Sequence, residues 1–342
     1  MSRLFSHRHR PVHLGAFPLE NLPRKDSLPE FQRGPKRSAL AVEDPANPHS
    51  LANGMREYIN VMDRMRVGQV APQQAPIPQD MQERANHLKA ACYYLDASMA
   101  GTCRIPSNAL LAEPVVNAAL SEAMELEYGA GSADNPMAEI SVREGKAAWE
   151  RAQAEMEAPP AHDYALVILS EHTRDVDPLE PGAEWLVDTQ PQRAALRAAE
   201  VGAVMANYLR MLGFDARLHT ATASDLDMDQ ILLASGLGES MDQEGVTKVE
   251  VPYLGTGYGA VVVSTTMELA ADAPLAAGAV SSGRDFKWWS GFGGTRPGFQ
   301  GPLYKGRPFH LGLYPMETVK RVAEPTTLID APNVPRIPKR HD

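Results

Sequence analysis

Two short apolar runs constrain this chain more than anything else in it. Tyr164 to Leu169 reads YALVIL, and Ala260 to Thr266 reads AVVVSTT. A strand with one wet face alternates apolar and polar residues, so an unbroken apolar run predicts a strand covered on both faces. Between the runs, residues 191–212 carry the strongest helical spacing, with Val201, Met205, Tyr208 and Leu212 on one stripe and Gly213 as the stop. Phe214 to Thr220 reads as a further strand. Asp225 to Ala234 reads as a helix closed by Ser235-Gly236-Leu237-Gly238. The alternation predicts an α/β (α+β) fold, a sheet covered by helices.

Around this core the chain divides into three parts. Residues 1–50 are rich in Pro, Arg and polar residues and read as an extended N-terminal arm. Residues 51–280 are the core. They include helical spacing from Leu51 to Arg66, a proline loop at 66–80, and a helix capped by Asp80 that runs to Leu95 with Met81, Ala85, Leu88 and Ala91 on its apolar positions. Residues 114–128 and 138–157 are further helix candidates, the second ended by Pro159-Pro160. Residues 281–342 begin in a Gly/Trp-rich loop and end in a proline-rich C-terminal arm.

Composition narrows the partners. The 342 residues carry a formal charge of −10, which argues against nucleic acid, since phosphate binding draws on clustered Lys and Arg. The basic cluster Arg3, His7, Arg8, His9 and Arg10 reads as a solvated end. No apolar run reaches the roughly 18 residues of a membrane helix, and the start lacks a signal-peptide stretch. A soluble, cytoplasmic protein is the expectation. The two cysteines, Cys92 and Cys103, are too few for a disulfide framework or for one four-cysteine cluster, and are expected as buried free thiols.

The two ends of the chain echo each other. RPVHLGAFPLE at 10–20 returns as RPFHLGLYPME at 307–317, with seven of eleven positions identical and Phe/Tyr and Leu/Met exchanges at two more. The interval is too long for a solenoid repeat. The echo reads either as one complete unit followed by the opening segment of a second, or as two similar pieces of arm meeting similar grooves. His13 and His310 are equivalents, but neither has a neighbour at metal-ligand spacing, so structural hydrogen bonding is expected of both.

Other constellations carry less. Gly255-Thr256-Gly257-Tyr258-Gly259 precedes a strand, whereas a phosphate cradle precedes a helix, so a tight turn is expected. Glu171, His172, Asp175 and Asp177 follow the first buried strand, where α/β proteins keep their chemistry, but as one short acidic loop. Trp288 and Trp289 beside Phe286 and Phe292 read as an aromatic knot that packs on a neighbouring domain. No zinc motif or Ser/His/Asp arrangement stands out.

Three segments then carry a resemblance: AAEVGAVMANYLRMLGFDARLH (198–219), ILLASGLGES (231–240) and YGAVVVSTTMELAADAPL (258–275). In that order and spacing, and with the two echoed terminal motifs, they resemble the reductive dehalogenases, particularly the soluble, non-respiratory branch. The resemblance implies a nitroreductase-like sheet covered by helices that holds a corrinoid, with two iron–sulfur clusters feeding it electrons. It places Gly236, Gly238, Glu239, Ser264 and Thr265 as cofactor-binding candidates, although the glycine turn also reads as a plain helix stop. The family's cluster segment holds C-x2-C-x2-C-x3-C-P; here the corresponding DFKWWSGFGGTRPG (285–298) has Lys287, Ser290 and Gly293 where the first three cysteines would fall. Tyr93, Tyr94 and Lys248 have the type of the family's catalytic tyrosine and lysine, but packing and surface roles are favoured. No catalytic residue and no metal ligand are assigned.

The sequence therefore predicts a degenerate reductive-dehalogenase domain, a pseudoenzyme left by duplication, without iron–sulfur clusters and non-catalytic by itself. It would pair with a cluster-bearing cobalamin-dependent catalytic half, or form a homo-oligomer through its arms, with no nucleic-acid or membrane partner. The alternative is a corrinoid-binding oxidoreductase or cobalamin carrier supplied with electrons by an external reductase. A flavin-binding nitroreductase relative is a third reading, for which no basic flavin-phosphate site is evident.

Overall fold

Capping residues start the first two helices where local chemistry demands. Ser50 accepts from the Ala52 amide at 3.3 Å and opens α1 (Leu51–Asp63). Asp80 accepts from the Gln82 amide at 3.0 Å and opens α2 (Met81–Tyr94). In this computed structural model the described residues are 11–15, 17, 19–27, 47, 49–117, 161–172, 181–186, 189–243 and 246–280, with two-residue strands at 303–304 and 307–308. After α2 come β1 (Met99–Arg104), β2 (Leu110–Val115), β3 (Tyr164–Glu171), the single turn α3 (Ala183–Leu186) and α4 (Gln190–Met211). Then follow β4 (Ala216–His219), β5 (Ser224–Leu226), α5 (Met228–Ala234), β6 (Glu239–Gln243), β7 (Val246–Glu250) and β8 (Tyr258–Thr265). The strands at the end are β9 (Leu303–Tyr304) and β10 (Arg307–Pro308).

The central sheet has the order β1-β3-β8-β4, and each adjacent pair is antiparallel. Both apolar runs occupy its middle, which explains their lack of alternation. From β3, Ala165, Val167 and Leu169 enter a core layer with Phe17, Leu226 and Ile231. Leu166 and Ile168 enter the opposite layer with Ile59 of α1, Leu88 of α2 and Ala198 and Leu209 of α4. The fold is thus mixed helix and antiparallel sheet, with both faces of the central strands covered.

The packed stripe of α4 differs from the expected one. It runs through Ala194, Ala198, Val201, Gly202, Met205 and Leu209, while Tyr208 is 45% exposed. Alanines and Gly202 set this face because the helix lies close on the sheet. A Cβ on Gly202 would sit 2.7 Å from Leu218 Cδ1 and 2.8 Å from Val261 Cγ2. Gly213 ends the helix region as expected, at φ +85°.

Two boundaries are corrected. The helix expected from Asp225 begins at Met228, because Ser224–Leu226 pairs with β2 and Asp227 supplies the cap, accepting from the Gln230 amide. The helix expected from residue 114 gives way at its start to β2, which includes Pro114 and Val115. The remainder of that candidate, the 138–157 candidate, Asp175, Asp177 and the aromatic knot at 286–292 lie outside the described residues. The free edge of β4 is closed by the chain leaving α1: the Leu218 amide donates to Arg66 O at 3.1 Å, and Arg66 Nε donates to Leu218 O at 3.0 Å.

The described part of the N-terminal arm lies on the body. Phe17 stacks on Tyr253 with ring centroids 5.5 Å apart, and Leu19 and Leu22 are buried beside it. The Lys25 amide donates to Pro274 O, and the Ala276 amide to Pro23 O. No helix among the described residues is long and apolar enough to cross a membrane.

Candidate functional site

β4 and most of β8 are buried, yet each strand carries polar side chains inside. Ser264 on β8 lies opposite Arg217 on β4, and His219 follows two positions on, on the same face. Polar groups with no access to water must pair, and these do so in a continuous chain. The Asp225 amide donates to His219 Nδ1 at 3.3 Å, so the ring proton belongs on Nε2. That Nε2 lies 2.8 Å from Ser264 Oγ, which accepts from it. Ser264 Oγ lies 2.7 Å from His162 Nδ1 and donates to it. His162 Nε2 then faces Asp215 Oδ2 at 3.1 Å. The order of donors runs from the interior to His162, beside the Asp215 carboxylate, whose side chain is 59% exposed.

Charge surrounds the inner end. Arg66 and Arg217 each place a guanidinium nitrogen 2.8 Å from Asp225 Oδ2. Burial, followed by the two guanidinium charges, holds the His219 imidazole well below its ordinary range. Burial also lowers His162, opposed by Asp215. Next to them, Asp63 accepts from Thr220 Oγ1, Thr222 Oγ1 and Asn117 Nδ2, each at 2.6 Å. Burial still raises the Asp63 carboxyl above its usual range.

An Asp–His–Ser connection invites comparison with a nucleophilic triad, but Ser264 is 0% exposed and a second imidazole already occupies it. The arrangement conducts hydrogen bonds and fixes β4 to β8; it presents no nucleophile to a substrate. The sequence offered no motif for it. The available signal was Ser264 in a strand expected to be covered on both faces.

The cofactor-binding candidates fall into separate places. Strand alternation sends Ser264 and Thr265 to opposite faces. Ser264 joins the histidines, whereas Thr265 Oγ1 donates to Asp215 O at 2.8 Å. Gly236 (φ +65°) ends the α5 region against the arm, where a Cβ would run into Arg24 and the Ala273 carbonyl. A Cβ on Gly238 would run into Val249. Glu239 accepts from the Gly278 and Val280 amides and so caps that turn. Arg24 is the centre of the region: its guanidinium donates to Gly236 O (2.6 Å), Ala273 O (2.8 Å) and Leu19 O (3.1 Å). Burial lowers its basicity. The recess beside it, lined by Lys25, Gly238, Glu239 and Leu275, measures about 80 Å³.

The other candidates have ordinary places. Tyr93 accepts the Ala100 amide on its hydroxyl at 3.1 Å, Tyr94 is 84% exposed, and Lys248 lies exposed on β7. Glu171 closes β3 at the end of the sheet opposite His162, and the His172 amide donates to Gly257 O. Gly255 (φ +61°) and Tyr253 (φ +69°) form the tight turn before β8. Cys92 lies in the core layer of α2 and Cys103 in the opposite one; both are free, and burial pushes both thiols up. Among the described residues no group of three or more His, Cys, Asp or Glu is arranged to hold a metal ion.

No protein-family profile matches the chain, and no curated protein matches it. Solved structures do. A catabolic reductive dehalogenase, NpRdhA, matches with a TM-score of 0.57 and 32% identity, over 80% of this chain and 32% of its own. A reductive dehalogenase structure described as suggesting a mechanism for B12-dependent dehalogenation gives 0.57 and 31% over the same shares. The NpRdhA complex with 3-bromo-4-hydroxybenzoic acid gives 0.56 and 31%. The chain spans about a third of the length of these relatives. With identity above 30% over four fifths of its residues and the same arrangement of sheet and helices, the chain is reductive-dehalogenase-like in fold and sequence, the counterpart of about a third of such an enzyme.

Proposed function

We propose that this chain is a reductive-dehalogenase-like module that is non-catalytic by itself and supports a cluster-bearing, cobalamin-dependent reductive dehalogenase module. The observation that carries the reading is the pairing of family likeness with cysteine content. The chain resembles a reductive dehalogenase over 80% of its length, yet has two cysteines in all. Both are buried, on opposite sides of the sheet, and a cubane needs four thiolates at one point. Electrons for a bound corrinoid would have no internal route.

On this reading the glycine turn seats the arm. A recess of about 80 Å³ is well below the roughly 300 Å³ at which small-molecule sites begin, and Arg24 fills the space above Gly236. The turn does not fit a corrinoid ring, and no residue here is given a role toward one. The buried histidine–serine chain serves architecture, holding β4 and the β4–β5 turn against β8.

The test is a visible spectrum of the purified chain after incubation with hydroxocobalamin and desalting, together with anaerobic pull-down of a tagged cluster-bearing reductive dehalogenase from the same source. A colourless chain that co-purifies with that module is the expected result. A base-off corrinoid retained at near one equivalent, or a colourless chain that fails to co-purify, overturns the reading.

A further inference from the structure

α1 has two apolar faces. Its inner face buries Ala52, Ile59 and Met62. On its outer face Leu51, Val61 and Met65 are 45–47% exposed and Tyr58 is 64% exposed, Met65 lying in the turn that ends the helix. One apolar stripe is enough to hold a helix on a core, and exposed apolar residues scattered singly are ordinary. Here they are not scattered. With the exposed Gly54 they occupy positions 51, 54, 58, 61 and 65, alternating steps of three and four that repeat every seven residues. That spacing is the seam of a two-helix coiled coil, and it faces water.

The residues beside the seam say what it pairs with. Glu57 and Arg64 are exposed and flank it on one side. Two turns apart, about 10 Å along the axis, they are out of reach of each other within one helix. A second α1 laid antiparallel, with Tyr58 opposite the partner's Val61, brings Glu57 to the partner's Arg64, and two-fold symmetry repeats the pair. The same register sets Gly54 opposite the partner's Met65. A Cβ on Gly54 would meet nothing within 4 Å, so that notch is open to a long side chain. A parallel pair would instead set Gly54 against Gly54 and Glu57 against the partner's Met62, a residue already committed to its own core. We propose that the outer face of α1 is a self-association surface whose partner is a second copy of this chain, paired antiparallel about a two-fold axis. The seam is short, so the dimer belongs at the weak end of specific interfaces, with a Kd on the order of 10 µM.

Sedimentation velocity of the full chain from about 1 to about 200 µM tests it, with monomer expected at the dilute end and dimer at the concentrated end. Tyr58→Glu changes an exposed side chain, melts within about 3 °C of the parent at low concentration, and stays monomeric throughout. Glu57→Arg opposes two arginines at both ends of the pair and weakens the dimer at least about tenfold. Adding Arg64→Glu to it restores the charge pairing and returns the affinity to within about threefold of the parent. A parent that remains monomeric at about 200 µM, or a dimer that Tyr58→Glu leaves intact, overturns the proposal. A double exchange that fails to recover affinity overturns the antiparallel register and the proposal with it. A monomeric parent whose capture of the cluster-bearing module is abolished by Tyr58→Glu gives this face to that module and overturns the second copy as its partner.

Discussion

At Ser264 one hydroxyl completes two imidazoles, accepting from His219 and donating to His162. Ser264→Ala leaves both ring nitrogens without a partner in a dry strand pair. At ~1–3 kcal/mol for each unsatisfied group, the expected loss is about 2–6 kcal/mol in urea unfolding at pH 7.5. A loss below about 0.5 kcal/mol would show that the chain of hydrogen bonds contributes nothing. The same histidines set a pH dependence. Burial holds both below their ordinary range, so the folded state binds fewer protons than the unfolded one as pH falls from about 6.5. Stability is therefore full above that value and declines below it, by up to ~1.4 kcal/mol per pH unit for each histidine. Asp63 acts with the opposite sign at more acid pH, since its raised carboxyl takes a proton more readily when folded. Urea midpoints at pH 7.5, 6.5 and 5.5 check this; equal midpoints would sink the assignment of neutral, buried imidazoles.

Two helices respond oppositely to one substitution. Gly54 on α1 is exposed, and a Cβ there meets nothing within 4 Å. Gly54→Ala should stabilise the protein by about 0.5–1 kcal/mol through helix propensity alone. Gly202 on α4 lies against Leu218 and Val261, with 2.7 and 2.8 Å left for a Cβ. Gly202→Ala should cost roughly 1–3 kcal/mol by prising the helix from the sheet. Melting curves of the two variants side by side decide it, and shifts of the same sign would contradict the close helix–sheet approach. Propensity reads both glycines alike; only packing separates them. The cap at Asp80 is more transparent, because its partner is the Gln82 amide two residues away. Asp80→Ala should cost about 1 kcal/mol of stability by thermal melting.

At the scale of the whole molecule, Arg24 ties the N-terminal arm to the end of the core, donating to carbonyls at Leu19, Gly236 and Ala273. Arg24→Met removes those donors while retaining much of the apolar stem. Amide hydrogen exchange should then accelerate at Lys25 and Ala276, which bond between arm and body, and stay slow in β3 and β8. Slow exchange at both positions in the variant would mean that apolar contacts alone hold the arm. The docked arm also explains why the glycine turn was open to two readings in the sequence. Backbone that approaches a cofactor and backbone that approaches an arginine from a distant segment both call for glycine.

The sequence by itself determined the two central strands, the helix between them, the caps at Asp80 and Gly213, and a family likeness carried by three ordered segments. These are local properties: burial of a strand or helix face is written in spacings of two to four residues. It also determined the cysteine content that limits the chemistry. Only the tertiary structure decided the antiparallel order of the sheet, the shift of the packed stripe of α4 from Tyr208 to Leu209, and the histidine–serine chain. Its links join residues 45 positions apart (His219 and Ser264) and 102 apart (His162 and Ser264), and the ion pair at its inner end joins residues 159 apart (Arg66 and Asp225). A polar residue in an apolar strand announces that it needs a partner, but the partner is chosen by which strands become neighbours, and no window of sequence contains that choice.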